Sequence, residues 1–488
     1  MLNSIDSKRN TFFYIYFLLI FISACSYEKA DPYYEGNGYP QAVGKIIENK
    51  CATSGCHNEK SKVAVAGLSL ESWNQLFEGS RSGAIVIPYQ PDFSTLIYYT
   101  NSYNEFGAIH LSPKMPIGKE ALTKEEMKIL YEWVKNGAPN SQGDIKFPDT
   151  VNRKTVYLTN QGCDVVTLID SESKLAMRYV DVGASPSIEA PHMVKVAFNN
   201  QFWCVSFIAG TYFQKFSTID NSLMGQVLLG FGSWNTFAIS KDSKVAYVID
   251  WSSAGKVAVV NLEDMTAIVY SGFSYPHGSA LNASDDTLYV TSQLGNYLYK
   301  IPVNNFSELQ LISLNGLPPN NTTSLDPHEI IFSPDGSKYF ITCQKSNEIR
   351  IFKTSNDSLI ATLATGQYPQ EMGISSTMPY LFVSCMEENS SSNNLERGSV
   401  SIINYNDNTL IKQIYAVYQP HGIVVDEEYQ RVYIANRNIN TSGPAPHHSS
   451  VCFGRNGYVT AIDMHTLLPI SGFKAEVSVD PYGLGISN

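Results

Sequence analysis

The sequence predicts a multidomain chain, a small all-α domain followed by an all-β seven-bladed propeller, and three observations predict it. An apolar run at Pro420-His421-Gly422-Ile423-Val424-Val425-Asp426 is followed, after a turn-rich break, by a second at Tyr433-Ile434-Ala435-Asn436, and this register recurs through the C-terminal part of the chain. The copies begin at slot residues 192, 235, 277, 328, 370, 421 and 482, spaced by 43, 42, 51, 42, 51 and 61 residues, and paired strands at such a period signify propeller blades. Before residue 140 the register is helical instead, with Val43, Ile46 and Ile47 on one face and Met127, Leu130, Tyr131 and Val134 on another.

The first element is a targeting segment, residues 1–25. Lys8 and Arg9 precede an apolar run from Phe12 to Ile22, too short for a permanent span, which ends in Ile22-Ser23-Ala24-Cys25. That ending resembles the bacterial lipobox, which implies a lipid on Cys25, a polar tether over 26–39 and a protein anchored to the outer membrane in the cell envelope. Cleavage near Ala24 as an ordinary signal peptide is the alternative. With 488 residues, 43% of them hydrophobic, the rest of the chain can fill more than one core. The net charge of −11 leaves no basic footprint for nucleic acid.

Residues 40–140 carry the first chemistry. Cys51-Ala52-Thr53-Ser54-Gly55-Cys56-His57 follows the first predicted helix. Two cysteines just ahead of a histidine are what thioether attachment of haem c with histidine ligation needs, although the spacing here is four residues instead of two. A local disulfide beside an incidental histidine is the rival reading. Downstream come Gly67-Leu68-Ser69-Leu70, Trp73, Val86-Ile87-Pro88 and Ser112-Pro113-Lys114-Met115-Pro116. A last helix opens at a Thr123/Glu126 capping box, runs through Trp133 and has Gly137 beyond it. This order resembles the planctomycete-type cytochrome c domain from about Gly38 to Asn140. The resemblance implies His57 and Met115 as axial ligands of a haem that carries electrons, with His110 a competing distal candidate.

Residues 141–150, rich in Gly, Pro, Asp and Asn, read as a linker, and 151–488 as the propeller. Val156–Thr159, Val165–Ile169 and Met177–Val182 alternate as strands. The slot at Tyr482 has no second strand after it, so Lys154–Thr159 supplies the partner and closes the ring. Ser333-Pro334-Asp335-Gly336 and the second strands at Tyr289 and Tyr433 resemble the YVTN family of propellers, a resemblance specific for fold and nearly silent on function.

The slots hold His192, Asn235, His277, His328, Gln370, His421 and Tyr482. Four imidazoles converging on one axis at a channel mouth predict a site for copper or another transition metal, against the plainer alternative of a wet polar mouth. Loops after second strands fall on the same face, which adds His447 and His448 as further ligand or lid candidates. Cys163, Cys204, Cys343, Cys385 and Cys452 remain, an odd number, so at least one is a free thiol or a ligand; burial as small apolar side chains is favoured over ligation.

The expectation is therefore a membrane-anchored redox protein whose haem c exchanges electrons with a centre at the histidine-rich mouth and with redox partner proteins. The alternative is a non-enzymatic propeller lipoprotein that binds a ligand or protein, with the haem domain as electron carrier or structural element.

Overall fold

The computed structural model describes residues 36–110, 112–148, 153–321, 324–388, 396–415, 417–449 and 451–487. The expected signal segment with Cys25 and most of the tether lie outside them. Among the described residues no helix is long and apolar enough to cross a membrane.

The N-terminal segment is helical where its periodicity predicts. Helix α1 (Gln41–Ile46) passes into a π turn, Ile47–Cys51, that ends on the first cysteine of the motif. Short helices α2 (Trp73–Leu76) and α3 (Thr95–Thr100) follow, then α4 (Lys124–Lys135). The α4 N-terminus is the predicted capping box: the Glu126 amide donates to the Thr123 hydroxyl at 3.2 Å and the Thr123 amide to the Glu126 carboxylate at 2.8 Å. Its buried stripe is Met127, Leu130, Trp133 and Val134.

This helical segment shares its apolar core with the sheets. Tyr39, Ile47, Met127 and Leu130 belong to one cluster with Tyr157, Val166, Leu168 and Trp203 of the first two blades. Phe93 stacks on Tyr179 at 4.2 Å, and Gln90 makes two hydrogen bonds to the Tyr179 backbone, at 2.6 and 2.7 Å. Burial of this area ties the helices to the propeller's rim.

Seven antiparallel sheets form the ring. Pro481–Ile486 is the inner strand of the first blade and pairs with Thr155–Asn160, as the orphan seventh slot requires. The other inner strands are Pro191–Val196, Trp234–Ile239, Pro276–Leu281, Pro327–Phe332, Gln367–Ile374 and Pro420–Asp426.

The slot is built by a bulge. In six blades a residue with positive φ (Ala190, Tyr275, Asp326, Tyr368, Gln419, Asp480) precedes a proline, and the slot residue comes next. Pairing with the second strand then breaks across the slot, for example between Pro327 and Ile330, so its side chain is turned toward the axis. A hydroxyl on the second strand repairs the broken ladder. Thr342 accepts from the Glu329 amide of its own blade at 3.0 Å and donates to the Gln370 carbonyl of the next blade at 2.8 Å. Thr291 does the same for Gly278 and His328, and Thr159 for Gly483 and His192. Where this position is Ile249, the Thr236 hydroxyl serves the His277 carbonyl instead.

Thr342→Val should therefore leave two buried backbone groups unpaired at once. The expected loss is about 3 kcal/mol, read from urea unfolding. An unchanged midpoint would show that the latch adds nothing.

Candidate functional site

The Cys51–His57 loop is shaped by backbone bonds that absorb the two extra residues between the cysteines. The π turn delivers Cys51, Gly55 takes φ +78°, the Cys56 amide returns to the Thr53 carbonyl at 2.9 Å, and the His57 amide to the Cys51 carbonyl at 3.1 Å. Both cysteines are free thiols, so the local-disulfide rival is not formed. Burial pushes the Cys51 thiol up to about 12 and lowers His57, whose Nδ1 is buried without a hydrogen-bond partner.

A cavity of about 650 Å³ opens beside this loop and brings Cys51, Cys56, His57 and Met115 onto one wall system. Leu68, Leu70, Ile85, Leu96 and Ile117 make the remainder largely apolar, the composition of a cofactor pocket. The Met115 amide is fixed to the Tyr99 carbonyl at 2.9 Å. Two thiols, an imidazole and a thioether in one apolar cavity of this size are a donor set that fits haem c.

His110 does not line that cavity. Its Nδ1 lies 3.1 Å from the Tyr98 hydroxyl, and its ring packs on Tyr98 and Tyr99, both at 4.9 Å. His448 joins the same cluster, 5.2 Å from Tyr98 and 5.7 Å from His110, with Nε2 at 2.8 Å from Glu476. His447 is held by Arg455 at 2.8 Å. The loop pair expected over the ring of slot histidines thus leans on the helical segment. A long loop must bury its apolar Pro444 and Pro446 somewhere, and the disulfide Cys163–Cys452 draws the loop toward the first blade. That bond takes two of the five unassigned cysteines; Cys204, Cys343 and Cys385 are buried and free.

The four slot histidines do converge. Ring centroids are 4.0 Å apart for His277–His328, 5.8 Å for His328–His421, 6.3 Å for His421–His192 and 6.5 Å for His192–His277. Tyr482 lies 3.5 Å from His421 and 4.3 Å from His192. The mouth is a packed plug and not the wet opening of the plainer alternative: exposure of the four histidines runs from 0 to 6%. Residues just beyond the second strands cover it. Gln161 reaches His192 Nδ1 at 2.6 Å, Gln344 bonds Gln370 at 2.8 Å, and Arg437 stands 4.8 Å above Tyr482 while gripping Asp480 at 2.6 and 2.9 Å.

As placed, no three His, Cys, Asp or Glu side chains among the described residues can share one metal ion. The rings meet edge to face, at 68–74° between planes, and tilted at 42° for His277–His328. Even so, His192 Nε2, His328 Nδ1 and both His421 nitrogens are buried without a partner. Burial holds all four imidazoles neutral. One residue after slots 328 and 370, Glu329 and Glu371 are buried too; burial raises Glu329 to about 7, and burial together with the charge of Glu329 raises Glu371, with Lys195 opposing in both. Neither glutamate stands out in the sequence, because the slot register draws attention one residue earlier.

No protein-family profile matches the chain, and no curated protein sequence matches it. Solved structures resemble it in fold. A functionally unknown protein from Desulfotomaculum acetoxidans is 12% identical, covers 69% of this chain and 99% of its own, and superposes with a TM-score of 0.53. A candidate 6-phosphogluconolactonase from Bacteroides uniformis gives 12% identity, 69% and 100% coverage and a TM-score of 0.52. Hydrazine synthase from Kuenenia stuttgartiensis gives 15%, 58% and 79%, and 0.46. At these identities the likeness speaks for the propeller alone.

Proposed function

We propose that this chain is a c-type cytochrome built onto a propeller, which passes electrons between a haem in the N-terminal cavity and redox partner proteins at the cell envelope. The observation that carries the reading is the gathering of Cys51, Cys56, His57 and Met115 around one apolar cavity. Haem c would supply reversible one-electron exchange there. Cys51 and Cys56 would hold it covalently, His57 and Met115 would hold its iron, and Leu68, Leu70 and Leu96 would keep water from it.

The test is protein matured with haem-attachment machinery, denatured and extracted with acid acetone. Haem should remain with the polypeptide at one iron per chain; haem released to the solvent ends the thioether assignment.

Anchoring by a lipid on Cys25 belongs to the same proposal, since the short apolar run and its Ile-Ser-Ala-Cys ending support it. Cys25→Ser should move the protein from the membrane fraction to the soluble one or stall its processing. Undiminished membrane association in that variant counts against the anchor.

A second reading rests on the orphaned nitrogens of the plug. Each buried unpaired polar atom costs about 1–3 kcal/mol, and a transition metal such as copper, reached by turning the rings, would relieve several together. In that case the plug, and not only the haem, would exchange electrons. Elemental analysis of the same preparation separates the two: a stoichiometric second metal that His277→Ala/His421→Ala removes supports the metal centre, and haem iron alone leaves the plug a packed closure.

A further inference from the structure

A second cavity, about 690 Å³, lies between the helical segment and the seventh blade. It shares Ser82, Tyr99, Pro113 and Glu476 with the cavity that holds Cys51 and Met115, so the two spaces are neighbours across a single layer of side chains. Nothing in the electron-carrier reading uses it.

Its walls are aromatic, from Tyr99, Tyr458 and Phe473, with Pro113 and Pro446 completing flat apolar surfaces. Its polar groups favour an anion. Arg81 and Lys474 line it against one carboxylate, Glu476, which accepts from the Asn456 side-chain amide at 2.7 Å and lies 2.8 Å from His448 Nε2. Lys474 sits 3.9 Å over the Tyr458 ring, so one cation and one aromatic face are pre-arranged together. His110 presents Nε2 buried and without a partner. An unpaired imidazole nitrogen, two cations and three aromatic side chains in a pocket of ordinary ligand size describe recognition of a flat ring bearing an acid group.

We propose that this cavity binds a small planar aromatic acid of one or two rings, its ring between Tyr458, Phe473 and Tyr99 and its acid group toward Arg81 and His110. The proposal rests on the haem reading only for its purpose, since a ligand there would lie beside the cofactor; the binding itself needs no haem.

The probe is 4-hydroxybenzoate, titrated by calorimetry into the full-length haem-loaded protein, with haem content measured separately and the Soret band followed in parallel. Saturable one-to-one binding is expected, weakened at least tenfold in Arg81→Ala and in Phe473→Ala, with Arg81→Lys recovering part of the loss. Absence of saturable binding in a fully haem-loaded preparation overturns the proposal and leaves the haem reading standing. Equal affinity for cyclohexanecarboxylate overturns the aromatic class. Binding by protein that carries no haem even after maturation with haem-attachment machinery supports the site while the haem reading fails. Wild-type affinity in both alanine variants, whose folding is checked by their unfolding midpoints, places the probe elsewhere and also overturns it.

Discussion

Met115→Ala should keep haem on the polypeptide and lower its midpoint potential by a few hundred millivolts, within the span of ~0.8 V that axial ligands command. A thioether favours the reduced iron, and its loss leaves water or a stronger donor in its place. Met115 is the distal candidate because it lines the cavity with His57, whereas His110 turns away toward Tyr98. Equilibrium redox titration checks it. A potential and visible spectrum unchanged from the parent would transfer the sixth position to another side chain.

Acidification should weaken the fold strongly between about pH 6.5 and 4. Burial lowers His277 from 6.5 to about 4, so the unfolded chain binds a proton that the folded chain refuses. The stabilisation is fully present above 6.5 and is lost as pH falls toward 4; at about 1.4 kcal/mol per pKa unit this one ring contributes about 3 kcal/mol. His192, His328 and His421 are lowered for the same reason and steepen the slope.

Glu329 works in the opposite direction. Raised from 4.5 to about 7, it is protonated in the folded state, so its contribution is present below 4.5 and lost as pH rises through 7. Four imidazoles outnumber the two buried carboxyls, and the net slope on acidification is downward. Urea unfolding at pH 7, 6 and 5 measures it, and His277→Asn should flatten the fall. A parent protein equally stable at pH 5 and 7 would mean the rings are hydrated and free to charge.

Much of the propeller was legible because its repeat is short-range. Each slot residue with its following second strand states the blade in about fifteen residues, and the closing pair Pro481–Ile486 with Thr155–Asn160 follows from one missing strand. That Cys51, Cys56, His57 and Met115 belong together was legible for a similar reason, since these side chains are chemically distinctive and lie within one segment, and they line one cavity.

What the sequence hid depends on distance along the chain. Glu476 reaches the wall of the cavity of Cys51 and Met115 from the seventh blade, and neither it nor Ser82 carries a local signal. The coverage of the histidines by Gln161, Gln344 and Arg437 depends on how loops fold across the axis, so a buried plug looked like an open mouth. The helices' attachment to the first two blades was likewise invisible: Phe93 and Tyr179 each read as an ordinary apolar residue until they stack. One signal was available and unused, the hydroxyl fourteen residues after slots 192, 277, 328 and 370, which marks the blade-to-blade latch.

The closure of the first blade sets an order of events during synthesis. Thr155–Asn160 emerges from the ribosome more than three hundred residues before Pro481–Ile486, its inner neighbour, and must wait as an uncovered edge. Tyr482 stacks on His421 only when that strand arrives, and Glu476, only a few residues ahead of it, brings the missing piece of the wall around the cavity of Cys51 and Met115. A nascent chain therefore completes its ring, its axial plug and that cavity in one late step, and a stop codon anywhere ahead of residue 476 forfeits all three together.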